Sequence, residues 1–184
     1  MSEAVRVLDY GVGNLRSVVR GLEAAGATVT LSTEPGDGRL VLPGVGAFAP
    51  AMKRLLAHRE GLRAHVQAGR PLLGICLGMQ LLFSQSFEHG QTAGLGLLEG
   101  DVVPLTDAAT VPNMGWHQLR GLGDPFVYFA HSFGVASSND AIATIDHGGT
   151  WVAAVRRGSV LGFQFHPEKS GRSGIRLLED WLRW

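Results

Sequence analysis

Strand and helix signals alternate through the first half of this 184-residue chain, and that alternation limits its fold more than any other feature. A short β-rich run covers residues 5–8. A helical pattern follows over 14–25, with Leu15, Val18, Val19, Leu22 and Ala25 on one face and Gly26 as the stop. Residues 28–31 and 40–42 read as the next two strands, the second closed by Pro43-Gly44. Residues 52–68 read as one or two helices, interrupted near Gly61 and ended by Gly69. A strand at 72–75 then leads into a helix that begins by Gly78. A βαβα order of this kind calls for a parallel sheet covered on both faces.

The second half changes character. Strand candidates fall at 101–105, 127–131, 142–145, 151–155 and 161–165, with few helices between, so mixed or antiparallel pairing is expected there. Residues 173–184 form a closing helix, with Ile175, Leu178, Trp181 and Leu182 as its buried face. The expectation is one domain over residues 1–184. Its class is α/β: a flavodoxin-like three-layer sandwich with a mostly parallel central sheet and additional antiparallel strands in the second half. Ligands of open parallel sheets bind beyond the carboxyl ends of the strands. Loops 9–14, 43–48 and 74–78 leave such ends, so the chemistry is expected on that rim.

Composition narrows the function classes. Sixteen basic and sixteen acidic residues give zero formal net charge, with no basic block to hold nucleic acid. No apolar run approaches the ~20 residues that span a bilayer. The opening residues lack the long apolar region of a signal peptide, and one cysteine cannot form an internal disulfide. A cytoplasmic protein is expected. His58 and His65 lie seven apart on a helical stretch with no accompanying ligand cluster, so both are read as solvated and no metal site or cofactor is expected.

The single cysteine, Cys76, stands in Gly74-Ile75-Cys76-Leu77-Gly78, between a strand and a helix. A nucleophile in such a turn sits on a strained backbone at a helix N-terminus, where the dipole favours thiolate. A buried structural cysteine is the alternative at this point. A thiol nucleophile needs a base and a group to orient that base. His166 follows the apolar run 161–165 and precedes Pro167, which pushes it to extended geometry. His166 and Glu168 can then face one way, unless they form only a polar turn after a strand. The Leu77 amide, just after the cysteine, is one candidate oxyanion donor, and Pro43-Gly44-Val45-Gly46 can supply a second. The latter stretch also fits a dinucleotide fingerprint loosely, but it follows the third strand rather than the first.

Taken together, these segments resemble class I (triad) glutamine amidotransferases. Within that family the chain is most similar to the glutaminase subunits of imidazole glycerol phosphate synthases. The resemblance rests on residues 9–17 (DYGVGNLRS), 43–48 (PGVGAF), 74–80 (GICLGMQ), 94–97 (GLGL), 111–116 (VPNMGW), 128–132 (YFAHS) and 164–170 (QFHPEKS). It implies a catalytic set of Cys76, His166 and Glu168, with Gly44, Val45, Gly46 and Leu77 forming the oxyanion strand and hole. It also implies a glutamine pocket lined by Gln80, Glu88, Tyr128, His131 and Ser132. The activity implied is hydrolysis of L-glutamine through a cysteinyl thioester. The ammonia would pass to a (β/α)₈-barrel cyclase subunit in a heterodimer that makes imidazole glycerol phosphate for histidine biosynthesis. Asn14, Ser17, Met114, Trp116 and Lys169 would dock that partner. Three features depart from the pattern: His117 stands in place of a common Asn, Phe133-Gly134 replaces a tyrosine-containing pair, and the segment between Trp116 and Tyr128 is short. A cysteine hydrolase of other amides and a docking subunit without activity are the competing readings.

Overall fold

A computed structural model describes residues 2–106 and 110–184. The first half runs β1 (Glu3–Leu8), α1 (Leu15–Ala24), β2 (Ala27–Ser32), β3 (Arg39–Leu42), α2 (Phe48–Leu55), α3 (Arg59–Gln67), β4 (Leu72–Ile75) and α4 (Leu77–Leu81). The second half holds β5 (Gln85–Ser86), β6 (Thr92–Ala93), β7 (Asp101–Pro104), β8 (Asn113–Gln118), β9 (Phe126–His131), β10 (Phe133–Gly134), β11 (Ala141–Asp146), β12 (Thr150–Arg157), β13 (Val160–Phe163) and α5 (Gly171–Leu182).

A seven-stranded sheet in the order β11-β12-β13-β4-β3-β1-β2 forms the middle layer. From β2 to β13 the neighbours are parallel, while β12 and β11 join antiparallel. The apolar runs explain the three layers, because alternate residues of a strand face opposite sides. Val5, Val7, Val41, Leu73 and Ile75 pack with Val18 and Leu22 of α1 and with Leu177, Leu178, Trp181 and Leu182 of α5. Leu8, Leu40, Leu42 and Leu72 pack on the other face with Phe48, Met52 and Leu55 of α2 and Leu62 of α3. Each fully buried leucine of this kind contributes about 1.5–3 kcal/mol.

Several local expectations need correction. The break in the second helical region lies at Leu56–His58, a 3₁₀ turn, not near Gly61. Gly61 is helical inside α3 and is small because a Cβ there would stand 3.0 Å from Pro35 Cγ. Ile175 is only half-buried, and its place in the core is taken by Leu177. His65 is not solvated: it is 1% exposed, with Nδ1 3.1 Å from the Gly36 carbonyl and Nε2 3.1 Å from that of Pro71. His58 is half-buried beside Glu34. Strand β8 falls outside the strands expected from the sequence: its apolar pair, Met114 and Trp116, alternates as in a strand but faces solvent, and among the described residues β8 pairs with β9 alone.

Candidate active site

Adjacent strands bring residues from opposite halves of the chain together. β4 and β13 run parallel with Ile75 opposite Phe163, so both chains leave the sheet at the same edge. The Cys76 amide donates to the Phe163 carbonyl at 2.7 Å, which holds the two exits side by side. His166 follows three residues after β13 ends.

The turn that carries Cys76 is strained and tightly packed. Cys76 has φ 54° and ψ −114° at the N-cap position of α4. For a residue with a side chain this backbone costs about 1–3 kcal/mol, and the surrounding packing must enforce it. Glycine notches supply that packing. A Cβ on Gly74 would lie 2.8 Å from Met79 Cα, and one on Gly78 would lie 2.0 Å from the Leu42 carbonyl oxygen. Gly44 is a third notch, since a Cβ there would approach the Gly78 nitrogen to 2.6 Å. The ends of β3 and β4 thus interlock with the first turn of α4. The Leu77 N–H lies in that turn, where amides have no intrahelical partner.

His166 and Glu168 form a buried pair. Nδ1 of His166 is 2.8 Å from Oε1 of Glu168, and the two side chains are 5% and 2% exposed. A carboxylate only accepts, so Nδ1 carries the proton and Nε2 is left for the sulfur. His166 itself is extended (φ −98°, ψ 96°), and Pro167–Lys169 form a 3₁₀ turn that brings Glu168 back to its ring. Burial alone would lower the His166 pKa. Hydrogen bonds to Cys76 and Glu168, with the charges of both, outweigh it and raise the pKa to about 10. The second Glu168 oxygen is buried without a hydrogen-bond partner.

Cys76, His166, Leu77, Val45 and Gly46 share a cavity of about 650 Å³ with Gln80, Glu88, Met114, His131, Ser132 and Lys169. Gln80, which the sequence alone reads as an exposed helix residue, is 4% exposed. Its amide nitrogen donates to the Phe133 carbonyl at 2.8 Å and to Gln164 Oε1 at 2.9 Å, and the Gln164 amide points to the Cys76 sulfur at 3.9 Å. Oε2 of Glu88 accepts from the Phe48 amide at the start of α2, at 2.7 Å. His131 donates from Nδ1 to the Phe133 carbonyl at 2.8 Å, and its Nε2 accepts from Asn113 at 3.0 Å. Burial, helped by the nearby histidines and opposed by the hydrogen bond to Phe133, drops its pKa to about 4, so it sits neutral in the wall.

Two expected residues lie elsewhere. Tyr128 does not line the cavity: it shares a face of β9 with Ala130 but lies one step further along the strand, where Trp116, directly opposite on β8, lies edge-on to its ring. Gly44 lies behind the cysteine turn rather than in the cavity wall. Glu168 reaches the site only through His166. Met114 and Trp116 are 65% and 53% exposed, and Lys169 is exposed at the cavity edge. Asn14 accepts from the Ser17 amide as the cap of α1, and Ser17 lies in a groove beside Glu168. His117 packs edge-on against Phe129 and His147 instead of entering the site.

Gln164, Asn113, Ala130 and Phe133 were given no role from the sequence. Gln164 had a signal: it is the one polar residue in an apolar strand run that ends at His166. Among the described residues no group of three or more His, Cys, Asp or Glu is placed to hold a metal ion. None of their helices is long and apolar enough to cross a membrane. The arrangement offers a sulfur nucleophile, an oriented imidazole and an orphan amide facing one cavity, the parts needed for acyl transfer from an amide.

The family model for class-I glutamine amidotransferases matches residues 6–183. An imidazole glycerol phosphate synthase subunit HisH from Aquifex aeolicus is 45% identical over 197 residues, covering 96% of this chain and 95% of its own length. The same-named protein from Exiguobacterium sibiricum is 46% identical over 185 residues, covering 96% of this chain and 93% of its own. Among solved structures, one described as a glutamine amidotransferase superposes with a TM-score of 0.79 at 22% identity, covering 98% of this chain and 99% of its own. PurLQS from Thermotoga maritima gives 0.75 at 19% identity, with 100% and 99% covered.

Proposed function

Because the chain belongs to the class-I glutamine amidotransferase family, we propose that it works as the glutaminase subunit of an imidazole glycerol phosphate synthase. It hydrolyses L-glutamine to glutamate and ammonia, and the ammonia serves histidine biosynthesis. The observation that carries this reading is Cys76 on its strained turn beside the His166–Glu168 pair, in an open cavity of about 650 Å³ with room for an amino acid.

The reaction follows from the placement of the groups. The Cys76 sulfur attacks the side-chain amide carbon of glutamine. Negative charge gathers on the amide oxygen and is received by the Leu77 N–H and the backbone of Val45 and Gly46, a role supported by all three lining the cavity with Cys76. His166, kept protonated and oriented by Glu168, gives its proton to the departing ammonia and leaves a glutamyl thioester. Water then attacks the thioester, His166 takes its proton, and glutamate leaves as the sulfur is restored. Glu88 is suited to the substrate's α-ammonium group, and Ser132 and the neutral His131 to its polar atoms. Gln80 and Gln164 fix the cavity wall beside the sulfur.

The partner in this reading is a (β/α)₈-barrel cyclase, docked over the exposed Met114 and Trp116 with Lys169, Asn14 and Ser17 at the edges. A cover of this kind keeps ammonia from water and protonation on its way to the acceptor. Residues 1–184 act as one glutaminase domain, a reading supported by the family match over nearly the whole chain, and the domain works in the cytoplasm. The test is glutamine turnover by the purified chain alone and with the cyclase and its nucleotide ligand. Weak basal hydrolysis with strong stimulation is expected. Hydrolysis of unrelated amides without glutamine turnover overturns the assignment.

A further inference from the structure

Ser170 follows the His-Pro-Glu-Lys turn and is 1% exposed. Its hydroxyl donates to the His166 carbonyl at 2.6 Å and accepts from the Tyr128 amide at 2.9 Å. The His166 amide in turn donates to the Tyr128 carbonyl at 2.9 Å. One small side chain thus closes a ring of three hydrogen bonds between β9 and the base. The next turn of chain adds a steric grip: a Cβ on Gly174 would stand 1.9 Å from the Pro167 carbonyl oxygen and 2.8 Å from Ser170 Cβ. α5 therefore lies directly on the peptide between His166 and Glu168.

Strand β9 has two other duties. It carries Ala130 and His131 into the cavity, and it pairs Tyr128 with Trp116 and Ala130 with Met114 on β8. The ring at Ser170 is thus where the β8–β9 hairpin meets the residue that moves protons. We infer that Ser170 is a positioning residue for His166, and that it ties the position of the base to the β8–β9 hairpin and so to whatever rests on Met114 and Trp116. This rests on the glutaminase reading and names a residue that touches neither glutamine nor sulfur.

The backbone of His166 fixes where its ring meets Cys76. Without the hydroxyl, the Tyr128 N–H loses its side-chain partner and the His166 carbonyl keeps only the Lys169 amide at 3.0 Å, so the link from the turn to β9 through Ser170 is gone. A small misplacement of a catalytic group costs up to ~10²-fold in rate.

The experiment compares Ser170→Ala with wild type in complex with the cyclase and its ligand. Expected is a fall in kcat of about 10- to 100-fold with KM for glutamine changed less than about threefold. Stimulation by the cyclase falls with it, and the alkaline limb of the kcat profile moves to lower pH. Wild-type kcat and pH profile per folded molecule overturn the inference, as does a loss confined to KM. Hydrogen exchange on the wild-type chain tests the ring without any variant: the Tyr128 and His166 amides are expected to be protected together, and rapid exchange at Tyr128 alone overturns it. If wild type fails to hydrolyse glutamine with the cyclase present, the glutaminase reading fails, while the exchange result still reports on the ring.

Discussion

Replacing Glu168 by Gln removes the charge behind His166 and keeps the shape of the side chain. The imidazole pKa stands near 10 against an ordinary 6.5, despite burial that opposes the charge. That rise corresponds to about 5 kcal/mol, drawn from Cys76 and Glu168 together. Assigning about half to the carboxylate gives ~2–3 kcal/mol, which is a fall of ~10²-fold in kcat if the imidazolium is needed to expel ammonia. The alkaline limb of the rate profile moves down, since the imidazolium loses part of what holds its proton. Stability changes in the same window. A raised pKa in the folded state stabilises the fold fully below about pH 6.5, and that contribution is lost as pH rises through about 10. The deficit of Glu168→Gln in denaturant titrations is therefore largest below pH 6.5 and closes by pH 10. Steady-state turnover of glutamine with the cyclase, measured from pH 6 to 10, reads both effects. A fall in kcat of less than about threefold, with an unmoved alkaline limb, refutes the assigned role of Glu168.

Other perturbations test separate parts of the account. Cys76→Gly is expected to be more stable than Cys76→Ala by about 1 kcal/mol, the reverse of the usual order, because only glycine adopts φ 54° without strain; thermal unfolding of the two inactive variants decides this. His131, held neutral by burial with its pKa near 4, makes the fold lose up to ~3 kcal/mol as pH falls from 6.5 to 4, because the unfolded chain takes up a proton that the folded one refuses. His131→Gln removes that slope, and an unchanged acid limb of stability counts against the burial argument. Trp116→Ala is expected to shift the melting free energy of the isolated chain by less than ~1 kcal/mol, since the side chain is half-exposed, while abolishing most of the stimulation by the cyclase. Equal stimulation of the variant and wild type places docking elsewhere.

The architecture was legible where one physical signal dominated. Apolar runs such as Leu40-Val41-Leu42 and Leu72-Leu73 can bury both faces only between helices, and they form the centre of the parallel sheet. The positions of Cys76, His166 and Glu168 at the ends of β4 and β13 were legible for the same reason. The misses share another cause: they depend on contacts between distant segments. In NMGWHQ the alternating Met114 and Trp116 are too short a signal to mark a strand beside a central glycine; β9 supplies the partner that makes it one. His65 is buried by carbonyls of Gly36 and Pro71, which no periodicity on its own helix reveals. Tyr128 packs instead against Trp116 of the facing strand, a contact that its own strand does not reveal. Gln80 turns inward because the Phe133 carbonyl and Gln164 wait for its amide. The Gly44 notch is visible only once β3 and α4 are packed together.

The central claim is that one sulfur carries the glutamyl group, and acid quenching during steady-state turnover measures it directly. Intact-mass and peptide analysis of the quenched chain are expected to find a glutamyl thioester on Cys76 and none on Cys76→Ala, which also turns over no glutamine. An adduct on another residue, or full stimulated turnover by Cys76→Ala, contradicts the account.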